Sequence, residues 1–306
     1  MLTNIQIQDI ANEKILVSDL TNDDLLEFCK IANQRYRNGS PIISDENYDF
    51  IFISELTKRI PNQPFLKKIE TENAGFSEEK IKLPEKMLST DKAYSREEIN
   101  KWLERIAKFA NEIDYSLSNI QIKGTAKLDG FAGFDDGVKF YTRGDGNKGS
   151  DISRVFERGL GVFNNSERGQ GPGEIVIKRS YFEKHLSNHF EFPRNFQASL
   201  IKEKELDSFA IDAISEKAAL FVPFAQLPQW LGSIDEFSSQ FLDIVSQLES
   251  GVDFDIDGVV FEIVNPELKK HMGSNRKFHR WQIAFKENKE KAQVKVISVT
   301  AQVGRT

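Results

Sequence analysis

The stretch Ile120-Gln121-Ile122-Lys123-Gly124-Thr125-Ala126-Lys127-Leu128, followed by Asp129-Gly130, decides how the chain is read. It alternates apolar and polar residues in the manner of a half-buried strand. Ile120, Ile122, Ala126 and Leu128 share a face directed to a core. Gln121, Lys123, Thr125, Lys127 and Asp129 share the other, because successive side chains leave opposite sides of the pleat. A lysine and an aspartate therefore stand together at a strand end, on a polar face where a cleft can form. Taken alone, Lys-x-Asp-Gly is weak evidence, and a surface ion pair before a glycine turn explains it as well.

Composition sets the class. With 306 residues, 39% hydrophobic and 29% charged, the chain can fill one large core or two domains. The sequence offers no apolar run that could cross a membrane and no secretory-signal layout at its start. The single cysteine, Cys29, excludes an intrachain disulfide framework and a Cys-based zinc site within this chain, and points to the cytoplasm. A net charge of −6 argues against a surface uniformly coated for nucleic acid, while leaving room for a local basic face.

Before the central strand the pattern is helical. Thr21 caps a helix carrying Leu25, Phe28, Cys29, Ala32 and Tyr36 at helical spacing, ended by Asn38-Gly39. Ser44 starts a second, with Tyr48, Ile51, Phe52 and Leu56 on one side and Pro61 and Pro64 closing it. Tyr36, Asp45, Tyr48 and Asp49 gather at the junction, where helix caps and core tyrosines are the simplest explanation. Residues 61 to 90 read as linker and loop. Ser95-Arg96-Glu97-Glu98 is a capping box opening a helix with Ile99, Trp102, Leu103, Ile106 and Phe109 buried.

From residue 118 the pattern is mainly strand. Phe131 to Phe134 and Val138 to Thr142 flank the turn Asp135-Asp136-Gly137, which should return Arg143 toward Lys127 on a paired strand. Further strands are expected at Glu174 to Lys178, Phe209 to Ile214, Phe254 to Ile263 and Trp281 to Lys286, the last placing Lys286 on the Gln282/Ala284 face. Phe192-Pro193-Arg194-Asn195 reads as a loop, and Ser233 caps a helix running through Leu248. Residues Val294 to Val303 begin another β-rich element. The four histidines show no metal-ligand spacing.

The order of these pieces says more than any one of them. Lys-x-Asp-Gly, Thr-Arg-Gly-Asp-Gly, Gly-Glu heading a strand, Pro-Arg-Asn, Asp-Gly-Val-Val, Arg-Trp-x-x-Ala-Phe-Lys and Gln-Val-Gly-Arg-Thr form one ordered series. The series resembles the adenylation domain of the NAD-dependent DNA ligases. Ile-Ser-Asp-x-x-Tyr-Asp near the N-terminus and Met-Leu-Ser at 87 to 89 resemble the small helical domain and junction of the same family.

The resemblance implies an α+β chain. Residues 1–70 would be a helical NAD- and NMN-binding domain, 71–292 a mostly antiparallel β nucleotidyltransferase domain, and 293–306 the start of an OB-fold barrel. It implies self-adenylation: Lys127 attacks the α-phosphorus of NAD, releases nicotinamide mononucleotide and keeps AMP, as the first step of nick ligation in DNA replication and repair. Lysine is mostly protonated at neutral pH, so neighbouring cations (Arg143, Arg280 and Lys286) should activate it and stabilise phosphate charge.

Asp129 and Asp257 would hold the lysine or Mg²⁺, and Glu174 the ribose. Arg194 is the arginine of the Pro-Arg-Asn motif, while Ser89, Thr125 and Arg280 are expected in the nucleotide pocket. Tyr36, Asp45, Tyr48 and Asp49 would grip the nicotinamide mononucleotide half. The implied partner is nicked duplex DNA, met by a monomer away from any membrane.

Departures are visible too. Thr125 replaces a glutamate, Glu262 a lysine, Arg37 a histidine and Ile201 an arginine, Glu249 lies near the place of another arginine, and the hairpin before Arg143 is short. Two other readings stay open: an ATP- or GTP-using nucleotidyltransferase of the RNA-ligase or capping type, or a non-catalytic nucleotide- or DNA-binding module.

Overall fold

The computed structural model describes residues 2–67, 80–202 and 205–287. Strands are numbered along the chain. One five-stranded sheet has the order β10 (Gln229–Ser233), β3 (Gln121–Leu128), β11 (Ile256–Ile263), β12 (Phe278–Phe285) and β2 (Ser89–Ala93). The other has the order β5 (Phe140–Thr142), β4 (Phe131–Asp135), β8 (Gly171–Ile177), β9 (Ala219–Pro223) and β7 (Gly161–Val162). Pairing is antiparallel in both except at β12–β2 and β7–β9. Two short strands, β1 (Ile81–Lys82) and β6 (Lys148–Gly149), pair separately.

The alternation of the central strand is what lets the first sheet bury one face only. Ile122, Gly124, Ala126 and Leu128 point inward on β3 while Lys123, Thr125 and Lys127 stay partly exposed. Helices Arg96–Asn111, Ile234–Ser239, Phe241–Ser250 and Pro266–Met272 cover the apolar face, with Trp102, Phe237, Phe261 and Phe285 in the core. The second sheet packs on Pro193–Lys202 and Ser208–Ser215 through Phe131, Phe140, Phe196 and Phe221. Leu128, Val176, Val222 and Phe254 join the two sheets.

The N-terminal helices have their own core of Ile10, Leu25, Phe28, Cys29, Phe52 and Leu56. It includes a helix the sequence reading missed, Asn4–Ala11, opened by a Thr3/Gln6 capping box. The second helix of this module is regular over Asp45–Asn47 and Ser54–Arg59 but π-helical over Tyr48–Ile53. The wide turn rotates Ile51 off the packed side, leaving it 37% exposed, and buries Asp49 instead.

Several expectations are corrected. Phe192 to Asn195 does not form a loop: Pro193 is the first residue of a helix, where its missing N–H costs nothing. Phe209 to Ile214 lies in a helix capped by Asp207, because so short an apolar run does not distinguish the two periods. Val138 is in the turn and 80% exposed, the second hairpin arm starting only at Phe140. The helix after Ser233 breaks at Gln240 into two. Glu98 accepts from the Tyr94 N–H (2.6 Å) rather than from Ser95, so that box is only half closed. The β element expected at Val294 to Val303, and with it the barrel strand, lies outside the described residues.

Candidate active site

Asp129-Gly130 carries the chain from one sheet to the other. A Cβ on Gly130 would lie 2.6 Å from both the Ile175 carbonyl oxygen and Val176 Cγ1, so only glycine lets the turn pass β8 this closely. The Gly130 N–H donates to Glu174 Oε2 at 2.6 Å, and the Asp129 N–H to the Asp255 carbonyl at 2.8 Å. Lys127, Asp129 and Glu174 are thereby collected at the seam between the sheets.

β11 supplies the next charge through a bulge. Its register against β3 shifts between Ile256 and Val259, and Gly258 there has φ +136°, a backbone that other residues rarely adopt. The bulge carries Asp257 to two ammonium groups. Lys127 Nζ lies 2.7 Å from Oδ1 and Lys286 Nζ 2.7 Å from Oδ2. Lys286 Nζ also lies 2.7 Å from Asp49 Oδ2, and Lys92 Nζ 2.8 Å from Asp49 Oδ1. A row of alternating charge thus runs Lys127, Asp257, Lys286, Asp49, Lys92. Burial favours neutral Asp257, but Lys127 and Lys286 outweigh it and hold its carboxyl well below the usual range. Burial likewise opposes the Lys286 charge, yet Asp257 and Asp49 keep it protonated well above the usual lysine range.

A second cluster faces this row. The Tyr36 hydroxyl donates to Asp129 Oδ1 at 3.0 Å, and Arg194 lies 3.9 Å over the Tyr36 ring. Arg194 Nε donates to the Tyr36 carbonyl at 3.1 Å and its Nη1 to the Gly130 carbonyl. Gln197 Nε2 donates to the Asp129 carbonyl at 3.2 Å. Between the clusters a cleft is lined by Tyr36, Asp45, Asp49, Asp129, Arg194, Asp257 and Lys286, with Glu46, Glu249, Asp255 and Glu287 at its walls. Crowding of acids is felt inside it. Burial, then the charge of Asp129, pushes the Asp45 carboxyl up to about 7. Burial pushes Glu174 up to about 8, against Lys127 and Arg194.

The remaining candidates lie further out. Arg143 does not return on a strand paired with β3, since β3 and β4 belong to different sheets. Its N–H donates to Ala132 O at 3.1 Å and its Nη1 to Ser89 Oγ at 3.2 Å. Thr125 shares the Lys127 face, opposite Val260. Tyr48 packs against the helical module's own core. Arg280 is not beside Lys127: its Nη1 donates to the Met272 carbonyl at 3.1 Å, beside a groove shared with Lys101, Arg105 and Lys108. Activation of Lys127 by a ring of cations is therefore not what is seen; its closest charged partner is the carboxylate of Asp257.

The departures are absorbed locally. Glu262 Oε1 lies 2.6 Å from Lys123 Nζ and 3.4 Å from Lys269 Nζ, and Gln282 Nε2 donates to its Oε2 at 3.2 Å. Ile201 is fully buried in the second core, and Arg37 Nε donates to Asn33 Oδ1 at 3.1 Å. Asp129 and Asp257 fit Mg²⁺ poorly as arranged. Both oxygens of Asp257 face lysines, and no group of three or more His, Cys, Asp or Glu among the described residues converges on a metal position. The sequence reading missed Lys92, Gln197 and Asp255. Lys92 stands where the linker was expected to give way to a cap, and a five-residue strand has too few alternations to be seen.

Residues 74–211 match the family of the NAD-dependent DNA ligase adenylation domain. The chain is 62% identical to a DNA ligase of Ruthia magnifica subsp. Calyptogena magnifica over 95% of its own length and 47% of the relative's. It is 60% identical to a DNA ligase of Vesicomyosocius okutanii subsp. Calyptogena okutanii, over its whole length and 48% of that protein. For a DNA ligase of Shewanella baltica the figures are 52%, 97% and 46%. The chain spans about half the length of these relatives. No helix among the described residues is long and apolar enough to cross a membrane.

Proposed function

We propose that this chain, which belongs to the family of the NAD-dependent DNA ligase adenylation domain, transfers AMP from NAD onto Lys127. The observation that carries the reading is the Lys127–Asp257–Lys286 row at the edge of an acid-lined cleft. Lys127 Nζ, partly exposed, gives a proton to solvent and bonds to the α-phosphorus while the phosphoanhydride bond breaks, nicotinamide mononucleotide leaving with the bridging oxygen. Asp257 holds the Lys127 side chain at the seam by charge before the proton leaves. Lys286, a cation throughout, balances charge on the phosphate oxygens. Glu174 and Arg194 flank Gly130 where the nucleoside would lie.

The acids speak for NAD over a nucleoside triphosphate. Nicotinamide mononucleotide brings a positively charged flat ring and a ribose, which suit Tyr36, the carboxylate of Asp129 and the Asp45 carboxyl, itself half-ionised near neutral pH. Pyrophosphate would meet the Asp129 carboxylate and be repelled. In this reading residues 1–70 grip the leaving half, 71–292 adenylate, and 293–306 open a barrel for nicked duplex DNA.

Intact mass after incubation with NAD should show one AMP on the wild type and none on Lys127→Ala, with ATP a far poorer donor. Equal labelling by ATP, or an adduct that survives Lys127→Ala, would overturn the proposal.

A further inference from the structure

We propose that Lys92 is a positioning residue, which with Lys286 clasps Asp49, seats the helical module on the first sheet and tips the charge row toward phosphate. The geometry is specific. Lys92 lies opposite Ala284 in the parallel β2–β12 pair, and Lys286 follows two residues later, so the two ammonium groups are neighbours. Lys92 Nζ lies 2.8 Å from Asp49 Oδ1 and 2.9 Å from Oδ2. With Lys286 on Oδ2 at 2.7 Å, the carboxylate is bound by the sheet on both oxygens. Asp49 is 6% exposed, placed inward by the π turn, while the Lys92 side chain is 43% exposed, so the clasp closes the seam between module and sheet from its solvent edge. Phe50 repeats the docking next door, its ring 5.3 Å from that of Tyr94 and nearly perpendicular to it.

Charge supplies the second half. Lys127, Lys286 and Lys92 face two carboxylates, Asp257 and Asp49, which leaves the row one positive charge in excess. Without Lys92 the row is neutral. Asp49, which lines the cleft, also holds the two ammonium groups together.

The kinetic part rests on the adenylation proposal; the docking part does not. The Lys92→Met and Lys92→Arg variants of the 306-residue chain are compared with wild type in two measurements. In hydrogen exchange without nucleotide, peptides from residues 45–59 should exchange faster in Lys92→Met and normally in Lys92→Arg, while the Arg96–Asn111 helix is unchanged and reports intact folding. In single-turnover labelling, Lys92→Met should raise the half-saturating NAD concentration on the order of tenfold, with the maximal rate nearly kept and Lys92→Arg restoring it. Wild-type protection of 45–59 in Lys92→Met overturns the clasp. Raised exchange with an unmoved half-saturation overturns the charge argument. A wild type that takes no AMP fails the adenylation proposal alone, since exchange still reads the clasp.

Discussion

Two alternating-charge clusters lie on one face of the first sheet and behave differently. Around Asp257, partners come from β3, from the end of β12 and, through Lys286, from the helical module. Around Glu262, Lys123 is the cross-strand neighbour on β3, Gln282 the neighbour on β12, and Lys269 belongs to the helix that follows. The first needs a bulge to form and opens on a cleft; the second satisfies itself within the ladder. Alternating charge is thus common to a structural cluster and a candidate active site. What separates them is whether the partners come from bodies that meet at a cavity.

The largest expected effect tests the first cluster. Asp257→Asn leaves the ammonium groups of Lys127 and Lys286 facing each other without their shared anion. Removing one partner from a buried ion pair costs about 3–5 kcal/mol, and the partial exposure of Lys127 places this case at the low end. Denaturant unfolding should show the loss and labelling by NAD should nearly vanish. Stability within error of wild type would mean that the row does not hold the seam.

Glu262→Lys sharpens the comparison from the other side. It would set three ammonium groups together at 123, 262 and 269, for an expected loss of about 1–2 kcal/mol in these partly exposed positions. Its cross-strand partner Lys123 lies four residues from Lys127, roughly 13 Å along the strand, so in a medium close to water the labelling rate should change by no more than about threefold. A rate increase of about tenfold would show that the two clusters act as one.

The smallest effect is a pH slope. Glu174 has its carboxyl raised to about 8 by burial, so between its unfolded value near 4.5 and 8 the folded chain binds the extra proton. Its contribution to stability therefore falls as pH rises through that window. Glu174→Gln keeps an acceptor for the Gly130 N–H and removes the titration, so melting temperature should decline less steeply from pH 5 to 8. Parallel curves would show that Glu174 is ionised in the folded chain throughout.

The polar face of β3, the placing of Lys127 and Asp129 at its end, and the capped helix of residues 22–37 are legible in the residues alone, because they depend on local period and caps. The ordered motifs likewise named Asp257, Glu174, Arg194 and Lys286 without showing how they meet. The parting of β3 and β4 into different sheets, which moves Arg143 to Ser89 and leaves Lys127 to Asp257, emerges from the assembled fold. That fold also decides that Arg280 turns away, that a π turn buries Asp49, and that Lys92 completes the row. Period and capping are properties of a few neighbouring residues. The partner of a charge is set by register, bulges and docking between segments hundreds of residues apart, such as Asp49 and Lys286.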